Sequence, residues 1–303
     1  MATPDGLLWL SGPERPEGMN ASPELYTGTS GIVLFLVELA RVTGDGSWLE
    51  EAAAGADWLI AGLPDGLDHA GLYTGVPGIG LAIHQVAKAT GQEKYRKGAE
   101  RCLELVHAEA KPAGAGVEWG PGLDIIAGSA GTILYLLHMA RELDRPASRE
   151  LALRAGMRLA ELGIPEAGGR KWRMANDPGA KRLMPNFSHG TAGIAYALAT
   201  LHLETGREEP LEAALAGARY LQSVANTEGD GCLVFHHEPE PDGRNLYYLG
   251  WCHGPAGTVR LFYQLARATR DDAWMGWVRR GTRSIVASGI PERQTPGFWN
   301  NAG

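Results

Sequence analysis

The sequence predicts an all-α protein built as an α/α toroid of helical hairpins, and three observations predict it. A G-x-x-G motif recurs five times at the head of an apolar run, each run meets a stop signal at a fixed distance, and amphipathic stretches fill the intervals. The motifs are Gly28-Thr-Ser-Gly31, Gly75-Val-Pro-Gly78, Gly128-Ser-Ala-Gly131, Gly190-Thr-Ala-Gly193 and Gly254-Pro-Ala-Gly257. The runs they open, such as Ile32-Val-Leu-Phe-Leu-Val37 and Thr132-Ile-Leu-Tyr-Leu-Leu137, are apolar nearly all round, as a helix packed on several sides must be. Sixteen residues after the first glycine of each motif stand Gly44, Gly91, Asp144, Gly206 and Arg270, and Thr-Gly at three of the five marks a helix C-terminus. A constant interval means five helices of one length.

From stop to next motif the distance varies as 31, 37, 46 and 48 residues, so insertions fall outside these helices. The stretches from Ser47 to Leu59 and from Glu93 to Leu105 are charged on one face and apolar on the other, which predicts half-solvated outer helices. Each pairs with a buried inner helix. Inner helices that start on one face of a toroid place the segments 168–186 and 227–247 around a common mouth. Cys232-Leu-Val-Phe235 is the best strand signal and predicts a short hairpin there. The glycines themselves need no chemistry, because a crowded helix start is sufficient reason for them.

Composition bounds the function. At 303 residues and 32.4 kDa the chain can bury a large core, read here as one toroid domain over 1–303. Hydrophobic residues at 44% and charged residues at 21% exclude disordered and fibrous classes. A net charge of −7 argues against nucleic acid and anionic lipid as partners, since both need a basic surface. Three cysteines are too few and too odd for a disulfide scaffold and point to a reducing compartment. The N-terminus carries no basic, apolar secretory pattern, so cytoplasmic residence is expected. The uncharged stretch from Leu183 to Leu203 contains Pro185, Asn186, Ser188 and His189, unlike a membrane span.

Candidate chemistry stands just ahead of the last three motifs, in Gly122-Leu-Asp-Ile-Ile-Ala127, Phe187-Ser-His189 and Gly250-Trp-Cys-His253. A lone histidine or cysteine beside an apolar helix is usually packing. Asp124, His189, Cys252 and His253 in equivalent places of three repeats suggest more, since thiolate and imidazole ligate zinc and a nearby His and Asp can move protons. Asp124, His189 and Cys252 are expected to approach one another. Cys232 with His236 and His237 forms another conceivable cluster, although surface histidines beside an unrelated cysteine are the plainer reading. Glu118 and Asp124 could serve as the two carboxylates of a glycosidase, a reading that gives Cys252 and His189 no work.

These stretches resemble the lanthionine cyclases and LanC-like proteins, most specifically in Trp251-Cys-His-Gly254, and the repeat pattern extends the resemblance over essentially the whole chain. The resemblance implies a toroid of seven hairpins around a zinc ion, where a cysteine thiol adds to dehydroalanine or dehydrobutyrine in a dehydrated peptide to give a thioether. It implies Cys252 as the first zinc ligand, His189 as the proton-transfer residue and Asp124 as its acidic helper. The residue after the first cysteine, here His253, faces the substrate site in the family. Only five of the expected seven motifs occur, and the sequence ends where a sixth would bring the other two zinc ligands, Cys-His or Cys-Cys. The reading is therefore of a truncated chain with an incomplete zinc site, weak zinc binding, and self-association through exposed repeat ends. The alternatives are addition of glutathione to dehydroamino acids, and a non-catalytic toroidal scaffold or inactive fragment.

Overall fold

The computed structural model describes residues 1–10, 21–67, 69–166, 168–177, 179, 182–238, 243–290 and 292. It divides into two compact units, Met1–Ala110 and Lys111–Gly303. The first unit opens with a two-stranded antiparallel ribbon, β1 (Ala2–Thr3) and β2 (Gly6–Leu7), followed by α1 (Thr29–Thr43), α2 (Gly46–Ala61), α3 (Val76–Thr90) and α4 (Glu93–Ala108). The second contains β3 (Lys111–Ala113), β4 (Gly116–Glu118), α5 (Ser129–Glu142), α6 (Pro146–Glu161), β5 (Ile164–Glu166), β6 (Gly169–Lys171), α7 (Thr191–Thr205), α8 (Glu208–Val224), α9 (Pro255–Thr269) and α10 (Ala273–Ala287). The all-α expectation is met, and every helix opened by G-x-x-G begins one residue after the first glycine.

Those glycines are extended N-caps, and their lack of a side chain is what lets the preceding loop fold back. A Cβ on Gly28, Gly75 or Gly190 would sit 2.1, 2.1 or 1.8 Å from the carbonyl oxygen six residues earlier. The same return brings the next residue's N–H onto the carbonyl seven residues back, in Thr29 to Ser22, Val76 to His69, Ser129 to Gly122 and Thr191 to Met184, at 2.9–3.2 Å. At the far end Gly44, Gly91 and Gly206 adopt φ of 74°, 68° and 70°, and Arg270 takes the same left-handed cap at 56°. Asp144 also has positive φ, although α5 closes one residue earlier, at Leu143.

In the second unit α5, α7 and α9 pack side by side, and each lies against its following helix. Helix α7 is the most enclosed, with Ala192, Ile194, Ala195, Ala197, Leu198, Ala199 and Leu201 fully buried. Burying such aliphatic side chains contributes roughly 1.5–3 kcal/mol for each Leu or Ile. The expectation of inner helices apolar and covered all round holds less well for α1 and α9, where Phe35, Val42 and Tyr263 are more than half exposed. No described helix is long and apolar enough to cross a membrane.

Two features depart from expectation. Residues 232–235 form no strand; Leu233 makes an isolated bridge with Asn226. Among the described residues the strands that do form are three short hairpins, each presenting a glycine to a helix of its own unit. A Cβ on Gly6, Gly116 or Gly169 would meet the backbone carbonyl of Ala54, Arg154 or Ala216 at 2.2, 1.8 or 2.4 Å, so β2, β4 and β6 lie directly on α2, α6 and α8.

Candidate functional site

Three loops of the second unit build the site. The first, 122–128, turns into α5 and carries Asp124, which is 2% exposed; its Oδ1 accepts the Ala127 N–H at 2.7 Å. The second, 184–190, turns into α7 and carries His189, whose Nδ1 lies 2.8 Å from Asp124 Oδ2. An ionised carboxylate accepts only, so the imidazole donates through Nδ1 and its Nε2 remains for chemistry. The His189 side chain keeps 29% exposure, so the pair has a buried end and an open one.

The third loop, 248–254, is tied to the second through the main chain. The N–H groups of Phe187 and Ser188 donate to the Cys252 carbonyl at 3.2 and 3.0 Å, and Ser188 Oγ donates to it at 3.1 Å. Cys252 is therefore held beside His189 irrespective of its side chain. Its thiol is free and buried; burial pushes its pKa up, with Ser188 pulling the other way. The His253 ring lies 6.0 Å from that of His189. Expected to converge, Asp124, His189 and Cys252 do share one set of loops, but not equivalent positions. They stand four, one and two residues ahead of their glycines.

His236 and His237 correct the surface reading. His237 is 5% exposed, and the His236 ring stands 4.4 Å from His253 and 5.2 Å from Tyr248. Asn186, fully buried, draws this segment in: its Nδ2 donates to the Phe235 carbonyl at 2.9 Å and to the His253 carbonyl at 3.2 Å. Residue type and spacing single out His236 only as a companion of Cys232 and do not single out Asn186, because tertiary contacts alone bring both to this site. Burial and neighbouring positive groups, chiefly His237 for His236 and His236 for His253, push both imidazoles down to about 4, so both are neutral at pH 7.

Cys232 lies apart from the histidines that follow it. Its N–H donates to Ser284 Oγ on α10, and burial pushes its thiol up to about 11. Cys102 is fully buried on α4, as packing predicts. Glu118 is ion-paired with Arg158 at 2.9 Å while Asp124 is engaged by His189, which leaves neither as an open glycosidase carboxylate. Among the described residues no three His, Cys, Asp or Glu side chains are arranged to hold a metal ion. Among the described residues, the side chains around Cys252 thus do not supply three protein donors for zinc.

The described residues form paired helices with a loop ahead of each repeat motif, and the comparisons agree with an all-α class of that kind. A family model described as lanthionine synthetase C-like protein matches residues 20–276. The chain belongs to that family. No curated protein matches it. Among solved structures, nisin cyclase aligns at 18% identity with a TM-score of 0.69, covering 92% of this chain and 72% of that one. Cellobiose 2-epimerase from Bacillus thermoamylovorans aligns at 11% identity and a TM-score of 0.58, over 88% of this chain and 76% of that one. An α-1,6-mannanase variant of Salegentibacter sp. aligns at 16% and 0.55, over 91% and 79%. At these identities the likeness is one of fold, and a fold shared with sugar enzymes leaves function to the site.

Proposed function

We propose that the chain is a cyclase-like catalyst that adds a cysteine thiol to dehydroalanine or dehydrobutyrine in a peptide, forming a thioether. The observation that carries this reading is the His189–Asp124 pair at 2.8 Å beside the loop holding Cys252. Addition of sulfur to the β-carbon leaves an enolate that needs one proton at the α-carbon. His189, protonated at Nε2, delivers it, and Asp124 fixes the ring that does so. The peptide would enter along the 248–254 loop, where the imidazole of His253 and the phenol of Tyr248 supply polar contacts. Zinc would supply thiolate at neutral pH in a site with three donors; the described residues do not form one, and no step is assigned to it.

The test is incubation of the chain with a peptide carrying one cysteine and one dehydroalanine, reading loss of free thiol at unchanged mass. Acceleration over buffer that His189→Asn abolishes supports the reading. Equal rates with and without the protein reject it and favour a non-catalytic scaffold.

A further inference from the structure

His189 is one of two imidazoles in this site that are gripped at one nitrogen and open at the other. His189 is gripped by Asp124, and its counterpart is His236, whose Nδ1 lies 2.7 Å from Nδ1 of the buried His237. Two ring nitrogens at that distance share one hydrogen, so one donates and the other accepts. The segment is held from both sides. His236 N–H donates to the Gly243 and Leu246 carbonyls at 3.1 and 2.8 Å, and Glu238 exchanges backbone bonds with Leu183 at 2.8 and 3.2 Å. The Glu238 carboxylate is anchored by Tyr220 at 2.9 Å and Lys171 at 3.0 Å. No such framework is needed for a surface histidine.

His253 neighbours both, 6.0 Å from His189 and 4.4 Å from His236 by ring centroids, and its Nδ1 is buried with no hydrogen-bond partner. A group bound against His253 therefore has two further imidazoles nearby. The reaction proposed above needs two proton movements, one off sulfur and one onto carbon, and His189 accounts for the second only.

We propose that His236 is a catalytic residue of this site, its Nε2 accepting the proton of the incoming thiol while His189 protonates the α-carbon. This rests on the thioether-forming reading. The balance is complete: the S–H bond breaks with its proton passing to His236, the C–S bond forms as the C=C π pair moves to the α-carbon, and His189 fills that position with its own proton. Both imidazoles then return to their starting states by exchange with water. Acceptance at Nε2 requires His236 to carry its hydrogen on Nδ1 and donate it to His237. Burial and the facing groups His237, Arg182 and His189 oppose a positive charge on the ring and so keep it unprotonated before the thiol arrives.

Two measurements on the full chain decide it. The first compares wild type with His236→Gln in adding 2-mercaptoethanol or thiophenol to a dehydroalanine peptide. Thiophenol is already largely thiolate at neutral pH and needs no acceptor. A loss of about 10²-fold with 2-mercaptoethanol against less than about threefold with thiophenol is expected, with imidazole in solution restoring part of the rate to His236→Ala. The second is a nitrogen-15 histidine spectrum, in which His236 should be the Nδ1–H tautomer. Equal losses with both thiols, or an Nε2–H tautomer, overturn the role of His236 alone. Failure of wild type to accelerate either addition overturns the thioether reading, and this role with it. An unchanged melting temperature separates a catalytic loss from misfolding.

Discussion

The loops ahead of α1 and α3 in the first unit and those ahead of α5, α7 and α9 in the second use one backbone device for different ends. In the first unit the loop reads Leu-Tyr-Thr-Gly twice, at 25–28 and 72–75. There Tyr26 and Tyr73 meet edge to face at 6.4 Å and Thr27 bonds Glu24, so the side chains serve the loops themselves. In the second unit the residue three before the first glycine is again apolar, Ile125, Phe187 or Trp251, but Asp, His, Cys and His occupy positions around it. The frame is thus a structural constant. The proposed chemistry falls where a polar side chain of one loop meets that of another, as Asp124 meets His189.

The largest expected effect separates the two regions by activity. Asp124→Asn and His189→Asn should each lower the rate of thiol addition by about 10²–10⁴-fold. The positional counterparts of His189, Thr27→Ala and Thr74→Ala, should leave it unchanged. An equal loss from the threonine variants would show that the first unit shares the chemistry.

Next comes the frame, where both regions should suffer alike. Gly190→Ala forces a Cβ to 1.8 Å from Met184 O and Gly28→Ala to 2.1 Å from Ser22 O, and the obstacle in each case is backbone. Each should cost on the order of 3 kcal/mol in chemical unfolding. A tolerated Gly190→Ala with a destabilising Gly28→Ala would break the claim of a common device.

A smaller effect belongs to the second unit alone. The folded state holds His236 neutral, its pKa pushed down to about 4 from 6.5, so the unfolded chain binds the proton more readily. Stability from this group is complete above pH 6.5 and falls away as pH drops toward 4. Wild type should therefore lose melting temperature relative to His236→Gln across that window and run parallel to it above. A difference that is constant with pH would place His236 in an ordinary solvated setting.

The smallest effect concerns thiols. Burial pushes Cys102 up to about 12 and Cys232 up to about 11, and raises Cys252. Native alkylation at pH 7.5 should be slow at all three, with Cys252, beside the half-open His189, first and Cys102 last. Fast labelling of Cys102 would show that α4 opens locally.

The helix ends were legible because one residue type does one physical job there. Glycine is needed where a carbonyl presses on the Cα and where φ is positive, and Gly190 and Gly206 bracket α7 for those two reasons. The hairpins at 111–118 and 164–171 escaped notice because strands of three residues have no period to read. Their glycines, 116 and 169, lie 12 and 21 residues before the next motif, so no fixed spacing betrays them. Asp124 and His189 stood out as polar residues at the mouths of apolar helices. Residue type puts His236 with Cys232 at the surface, because its place in the site depends on a bond from Asn186 to the Phe235 carbonyl 49 residues further along the chain.

The attachment of the 184–190 loop to the 248–254 loop runs through the Phe187 and Ser188 N–H groups and the Cys252 carbonyl, which every non-proline residue possesses. With Ser188 and Asn186 adding side-chain bonds to the same carbonyl-rich stretch, the spacing between these two loops is consequently indifferent to the side chains at 189, 252 and 253. For protein engineering this makes positions 189, 252 and 253 an exchangeable panel on a stationary mount: a library varied there would alter reactivity while the two loops keep their distance, and new nucleophiles or acids could be screened without redesigning the fold.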